Sequence, residues 1–127
     1  MADKSEYFAQ NLENGTLQIS EDVVASVAAA AVLEVDGVCG LSSSISTDIA
    51  EMLGMKTLAK GVRLSAENDG AVKIECNVVA KFGQSVFVLA KTVQDAVKSS
   101  VESTTGLTVT QVNVNICGIA MPRESKK

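Results

Sequence analysis

The strongest constraint on the fold is a change of hydrophobic period between residues 61 and 106. Val62, Leu64 and Ala66 alternate with Arg63, Ser65 and Glu67, and after Asn68, Asp69 and Gly70 the alternation resumes with Val72, Ile74, Cys76, Val78 and Ala80. A period of two with one apolar phase predicts a half-buried hairpin. Asp69-Gly70 suits the tight turn because both residues tolerate positive φ, and Lys73, Glu75, Asn77 and Lys81 mark the opposite face as wet. Past Gly83 the period becomes helical. Val86, Ala90, Val93, Val97 and Val101 form one stripe and Lys91, Gln94, Asp95, Lys98 and Glu102 the other, until Thr105-Gly106 stops the helix. This helix is the natural cover for the dry side of the hairpin.

The flanking segments complete a single domain. Residues 1 to 14 lack periodicity and read as a mobile arm, with one α+β domain over residues 15 to 121 and a loose, disordered tail over residues 122 to 127. Within the domain, Thr16 to Ile19 alternates as a short strand with Leu17 and Ile19 inward. Ser20 is a good N-cap for a helix to about Val35, with Glu21 and Asp22 favoured by the helix dipole and Val24, Val27, Ala28, Ala31 and Val35 as its buried stripe. Gly37 ends that helix. Ser42, Ser43, Ser44 and Ser46 read as a flexible loop, after which Thr47 can cap a short helix over residues 48 to 53 that stops at Gly54. In the last strand Leu107 and Val109 hold one phase and Val112, Val114 and Ile116 the other, so a bulge near Thr110-Gln111 is expected. The order strand, helix, optional helix, strand, strand, helix, strand predicts an α+β two-layer sandwich: a mostly antiparallel four-stranded sheet with two main helices on one face. The ferredoxin-like arrangement fits this order, with a KH-like sheet as the alternative.

Composition narrows the chemistry. The 127 residues are enough for one core, and with 46% hydrophobic but only 3% aromatic residues and no Trp that core is aliphatic. Residues 1 to 54 hold nine acids against Lys4 alone, a net −8, while the remainder carries +4. Such polarity favours head-to-tail contact between copies or with a charged partner, and disfavours nucleic acid at the N-terminal half. Cys39, Cys76 and Cys117 form no CxxC pair and the chain has no histidine, so unpaired thiols are expected rather than a metal site or a disulfide framework. The polar start Met1-Ala2-Asp3-Lys4-Ser5-Glu6 is unlike a secretory signal, and the apolar run from Val23 to Leu33 is well short of the ~20 residues that span a bilayer. These features lead to the expectation of a cytoplasmic location without direct membrane insertion.

No catalytic constellation stands out, and the expectation is a protein that is not an enzyme and uses no cofactor. The serines at 42 to 46 have no base to activate them, Lys81 or Lys91 would need desolvation to act as nucleophiles, and Asp48 with Glu51 is the ordinary pattern of a solvated helix. Gly37-Val38-Cys39-Gly40 has the Gly-x-x-Gly spacing of RNA-binding KH domains, yet its neighbours are Glu34 and Asp36 where a basic side chain is wanted. The wet face offers Lys73, Glu75, Asn77, Asn113 and Asn115 but no ring on which a base could stack. A KH-like RNA-binding module is therefore the second functional class, and a small-molecule or acyl-chain sensor using the space between sheet and helices is a third.

Seven segments in order also carry a resemblance: Gly15-Thr16-Leu17-Gln18-Ile19-Ser20-Glu21-Asp22-Val23-Val24, Val35-Asp36-Gly37-Val38-Cys39-Gly40-Leu41, Lys60-Gly61-Val62, Phe82-Gly83-Gln84, Val93-Gln94-Asp95-Ala96-Val97, Thr105-Gly106-Leu107 and Val112-Asn113-Val114-Asn115-Ile116-Cys117-Gly118-Ile119. Over residues 15 to 120 the chain resembles the alkaline-shock, envelope-stress-response protein family of Gram-positive bacteria, and more closely its small housekeeping members than the namesake type with a long polar N-terminal extension. The resemblance implies a small, non-enzymatic cytoplasmic protein linked to envelope stress and homeostasis. In the namesake type it implies self-association and attachment to a membrane-anchored partner protein. It brings no catalytic residues.

A reason for self-association can be read without it. From Gln111 to Met121 no residue is charged, and the last strand is expected at a sheet edge, where unpaired amides invite another strand. The opposite edge, residues 61 to 67, is guarded by Lys60, Arg63 and Glu67. The candidate self-association edge is Val112, Asn113, Val114, Asn115, Ile116, Cys117 and Ile119. A scaffold or adaptor that assembles with itself is the leading expectation.

Overall fold

The computed structural model describes residues 7–42, 56–59, 61–67 and 71–121. The expected Asp69-Gly70 turn, the helix over residues 48 to 53, Lys60 and the tail over residues 122 to 127 lie outside the described residues.

Strands β1 (Tyr7–Leu12) and β2 (Gly15–Ser20) form an antiparallel hairpin. Helix α1 (Glu21–Glu34) leads to β3 (Val38–Leu41), followed by β4 (Lys56–Ala59), β5 (Val62–Ala66) and β6 (Ala71–Lys81). Helix α2 (Val86–Thr105) and β7 (Thr108–Ala120) complete the domain. Both helix starts follow from serines: Ser20 Oγ accepts the Val23 N–H at 3.3 Å and Ser85 Oγ accepts the Val88 N–H at 3.2 Å. Gly106 ends α2 with φ +79°, a left-handed geometry that disfavours a side chain, and its N–H donates to the Glu102 carbonyl at 2.9 Å.

The class is the expected α+β two-layer sandwich, but its main sheet has five strands rather than four and the strand order is not the ferredoxin-like one. The central strand is β6, the longest apolar alternation. β7 runs parallel to it along its full length, while its other side pairs antiparallel with β5 through residues 72 to 76 and with β3 through residues 78 to 80. β3 and β5 therefore lie end to end beside one partner, and the seam is hydrogen bonded by Asn77, whose N–H donates to the Gly61 carbonyl and whose carbonyl accepts the Ser42 N–H. β4 pairs with β5. In a ferredoxin-like order the first strand would separate the two strands joined by α2. Here β2 pairs with β1 instead, and β6–α2–β7 closes as a direct parallel crossover.

Residues 7 to 14 correct the expected arm. Phe8 pairs with Ile19, both are buried, and both belong to the common core. The hairpin is latched to the far end of α2 by Gln10, whose Nε2 donates to the Thr105 carbonyl at 2.7 Å. Leu17, expected inward, is exposed because only the Phe8–Ile19 end of the hairpin reaches the core.

The helices pack against one another; α1 covers β3, β4 and β5 while α2 covers β7. Their stripes are rotated slightly from expectation. On α1 Val24, Ala25, Ala28, Ala31 and Val32 are buried, with Val27 only half-buried. On α2 the stripe is Leu89, Val93, Val97, Val101 and Thr105, and Val86 stays outside it. The expected bulge is present: Val72 pairs with Val109 and Lys73 with Gln111, which leaves Thr110 as the extra residue. A second shift at Cys117 falls between the Val78–Ile116 and Val79–Gly118 pairs.

Candidate self-association edge

Among the described residues β7 has no strand on its outer side, so it is the sheet edge on that side. Alternate residues of a strand in a parallel pair turn both main-chain groups to the same side, and on β7 the outward set is identified by its capping side chains. Val109 donates its N–H to Glu102 Oε2 at 2.9 Å and accepts from Lys98 Nζ at 3.0 Å. The Val112 carbonyl accepts from Gln94 Nε2 at 3.0 Å. All three caps come from α2 at spacings of four residues, which places them in a row above the edge. Lys98 also pairs with Glu102 at 3.0 Å. The Val109 N–H, then the Lys98 contact, hold the Glu102 carboxyl below its ordinary value.

The capped half of the edge is unavailable to another strand, which narrows the expected segment. Beyond Val112 the period of two assigns the next outward main-chain groups to Val114 and Ile116, and, past the shift at Cys117, to Ile119, because the Ala120 carbonyl turns inward to accept the Phe82 N–H at 3.1 Å. Among the described residues no side chain caps these three. Asn113 and Asn115 do not serve the edge. Asn115 Nδ2 donates to Glu75 Oε2 at 2.7 Å and to Asn77 Oδ1 at 2.8 Å, and Asn113 Nδ2 donates to Gln111 Oε1 at 3.3 Å, all on the face away from the helices. Cys117 is exposed at the bulge, Cys39 is exposed on β3, and Cys76 is buried with its thiol pushed up to about 12 by burial and by neighbouring Glu75.

Apolar side chains crowd the open end. Ile119 and Met121 are exposed, Phe82 beside Ala120 is 60% exposed, and Phe87 on the first turn of α2 is 71% exposed beneath the Lys91 ammonium, 5.6 Å from the ring centroid. Two of the three phenylalanines of an aromatic-poor chain thus face solvent at one end of the sheet.

Two expectations about other surfaces change. β5 is not an edge, because β4 covers it, and Arg63 is not a guard but is 2% exposed, with Nε–H donating to Glu75 Oε1 at 3.3 Å. The Gly-x-x-Gly segment is a helix-to-strand turn. Gly37 has φ +100° and its carbonyl accepts from both the Lys81 N–H and Gln84 Nε2, while Gly40 lies inside β3. The caps on β7 escaped the sequence reading, although their signal was present: Gln94, Lys98 and Glu102 recur every four residues on one side of the helix.

Among the described residues no helix is long and apolar enough to cross a membrane. The chain is 30% identical over 117 residues to the uncharacterized protein Spy1614 of Streptococcus pyogenes, covering 91% of this chain and 96% of that one. It is 28% identical over 113 residues to the uncharacterized protein YqhY of Bacillus subtilis, covering 89% and 83%, and 30% identical over 107 residues to the uncharacterized protein YloU of the same organism, covering 83% and 88%. No solved structure matches it. Residues 9–121, from the latched hairpin to the end of β7, match the ASP23 family, described by a cell envelope-related function, and the chain belongs to that family.

Proposed function

We propose that this protein is a non-enzymatic cytoplasmic scaffold or adaptor of the cell envelope that assembles with copies of itself through the uncapped part of β7. The observation that carries the reading is the change along one strand. The Val109 N–H and carbonyl and the Val112 carbonyl are capped by α2 side chains, whereas the outward groups of Val114, Ile116 and Ile119 lead to exposed apolar residues at the end of the strand. An uncharged edge of this kind is a template for strand addition. The charge division of the chain, acidic before residue 55 and basic after it, favours alignment of successive copies. The envelope-related description of the family supports a role near the membrane, and a membrane-anchored partner protein is the contact that this reading requires.

Sedimentation velocity over a range of concentrations tests the edge. The parent should form concentration-dependent oligomers, and Ile119→Lys, a charged guard at an exposed position, should sediment as a monomer with an unchanged circular dichroism spectrum. Ile116→Pro removes one outward N–H and should act in the same direction. A folded Ile119→Lys variant that sediments like an oligomeric parent, or a parent that stays monomeric throughout, overturns the assignment. The RNA-binding alternative predicts salt-sensitive binding of single-stranded RNA. It has less support, because Gly40 belongs to a strand and the segment is flanked by Glu34 and Asp36, which repel a phosphate.

A further inference from the structure

We propose that the polar face of the sheet carries a binding site for a small peptidic carboxylate, such as an N-acylated amino acid or a short peptide with a free C-terminus. A groove of about 600 Å³ crosses β5, β6 and β7 on this face and ends at Gln94 past the β7 edge. That volume is in the range of small-molecule clefts. Arg63 lines it. Its side chain is almost fully buried, its Nε–H is satisfied by Glu75, and its Nη2, although 3.1 Å from Glu75 Oε1, is a buried donor with no hydrogen-bond partner. Buried guanidinium donors are seldom left open, because nothing replaces the water they have lost.

The neighbours of Arg63 define what is missing. Glu75 is committed on both oxygens, Oε1 to Arg63 and Oε2 to Asn115. Lys73 also lines the groove, and its nearest acid, Glu67, is 3.9 Å away between two half-exposed side chains, a weak attachment. An open guanidinium donor and a loosely held ammonium call for an anionic acceptor, and a carboxylate matches the planar fork best. The remaining polar lining is Ser65 and the amides of Gln94, Asn113 and Asn115. Asn113 and Gln94 each donate one N–H to a protein acceptor, which orients Asn113 Oδ1 and Gln94 Oε1 as acceptors for a ligand. Donors for a carboxylate followed by acceptors for N–H groups is the order of groups met along a peptide from its C-terminus. No aromatic residue lines the groove, so it offers no platform for a nucleobase.

The test is a titration of the full-length 15N-labelled protein, followed through the Arg63 Nε–H and the side-chain amides of Asn113, Asn115 and Gln94. The probes are acetyl-Ala-Ala, its C-terminal amide and inorganic phosphate. Saturable shifts of these resonances are expected with acetyl-Ala-Ala, at least about tenfold weaker with the amide because the charge-assisted bonds are lost. Arg63→Lys should abolish the shifts. Asn113→Leu, at an exposed position that leaves the Arg63–Glu75 pair intact, should weaken binding about fivefold, the loss of one neutral hydrogen bond. No saturable shift with either peptide, equal binding of the two peptides, or a response to phosphate as strong as to acetyl-Ala-Ala overturns the proposal. An unchanged affinity in a folded Asn113→Leu variant places the ligand elsewhere and overturns it as well.

Discussion

Breaking the Arg63–Glu75 pair from its two ends should give unequal losses of stability. Arg63 is 2% exposed and Glu75 28% exposed, so the two charges left behind by single substitutions meet different surroundings. Glu75→Gln keeps the shape and the contact with Asn115 but leaves a guanidinium charge buried without a counter-ion, at a cost of about 3 kcal/mol. Arg63→Met leaves a carboxylate that still accepts from Asn115 at 2.7 Å and reaches solvent, at a cost of about 1.5 kcal/mol. The double variant buries no charge and should lose about 1 kcal/mol, which implies a coupling of roughly 3.5 kcal/mol between the two positions. A chain of this size unfolds in urea with a slope of about 1.5 kcal/mol per molar, so the midpoint should fall by about 2 M for Glu75→Gln and about 1 M for Arg63→Met. Equal single losses below about 0.5 kcal/mol that add in the double variant, with unchanged slopes, would be the behaviour of a surface pair and would refute the reasoning.

Other expectations follow from the same geometry. An aromatic disulfide reagent at neutral pH should titrate Cys39 and Cys117 quickly and Cys76 only on unfolding. Because the folded thiol of Cys76 ionises at about 12 against 9.0 in a free thiol, its contribution is full below pH 9 and declines as pH rises from 9 to 12. The urea midpoint of the parent should therefore fall more steeply in that interval than that of Cys76→Ala. The lowered carboxyl of Glu102 works in the opposite direction: its contribution is full above the free value of 4.5 and is lost as pH falls through the folded value. The stability gap between the parent and Glu102→Gln should close on acidification, and a gap independent of pH would remove Glu102 as the acceptor for Val109. Gly106→Ala places a Cβ in a left-handed position 3.0 Å from Gln10 Nε2, so a loss of about 1–2 kcal/mol is expected, with faster amide exchange in β1 as the latch loosens.

The alternation in residues 62 to 80 and the helical stripe after Gly83 were enough to give the layered class, because a period of two or 3.6 is a local property of the chain. The same holds for Ser20 as a cap, for the stop at Gly106 and for the bulge at Thr110, where a one-residue slip in the pattern must appear as an extra residue in the ladder. Pairing partners are not local. That β7 lies directly beside β6, that β3 and β5 share one partner strand, and that residues 7 to 12 pair with β2 rather than float as an arm all depend on which apolar surfaces meet after collapse.

The class, the main helices, the uncharged character of the last strand and the family resemblance are all legible in the order of residues. Which part of that strand is open, and what becomes of Arg63, depends on how the elements pack. Whether Gln94, Lys98 and Glu102 point at solvent or at a neighbouring main chain depends on where α2 sits over β7. An arginine in the polar phase of a strand can equally be a surface charge or a buried donor; the alternation fixes the face it lies on, but the packing around it decides its exposure.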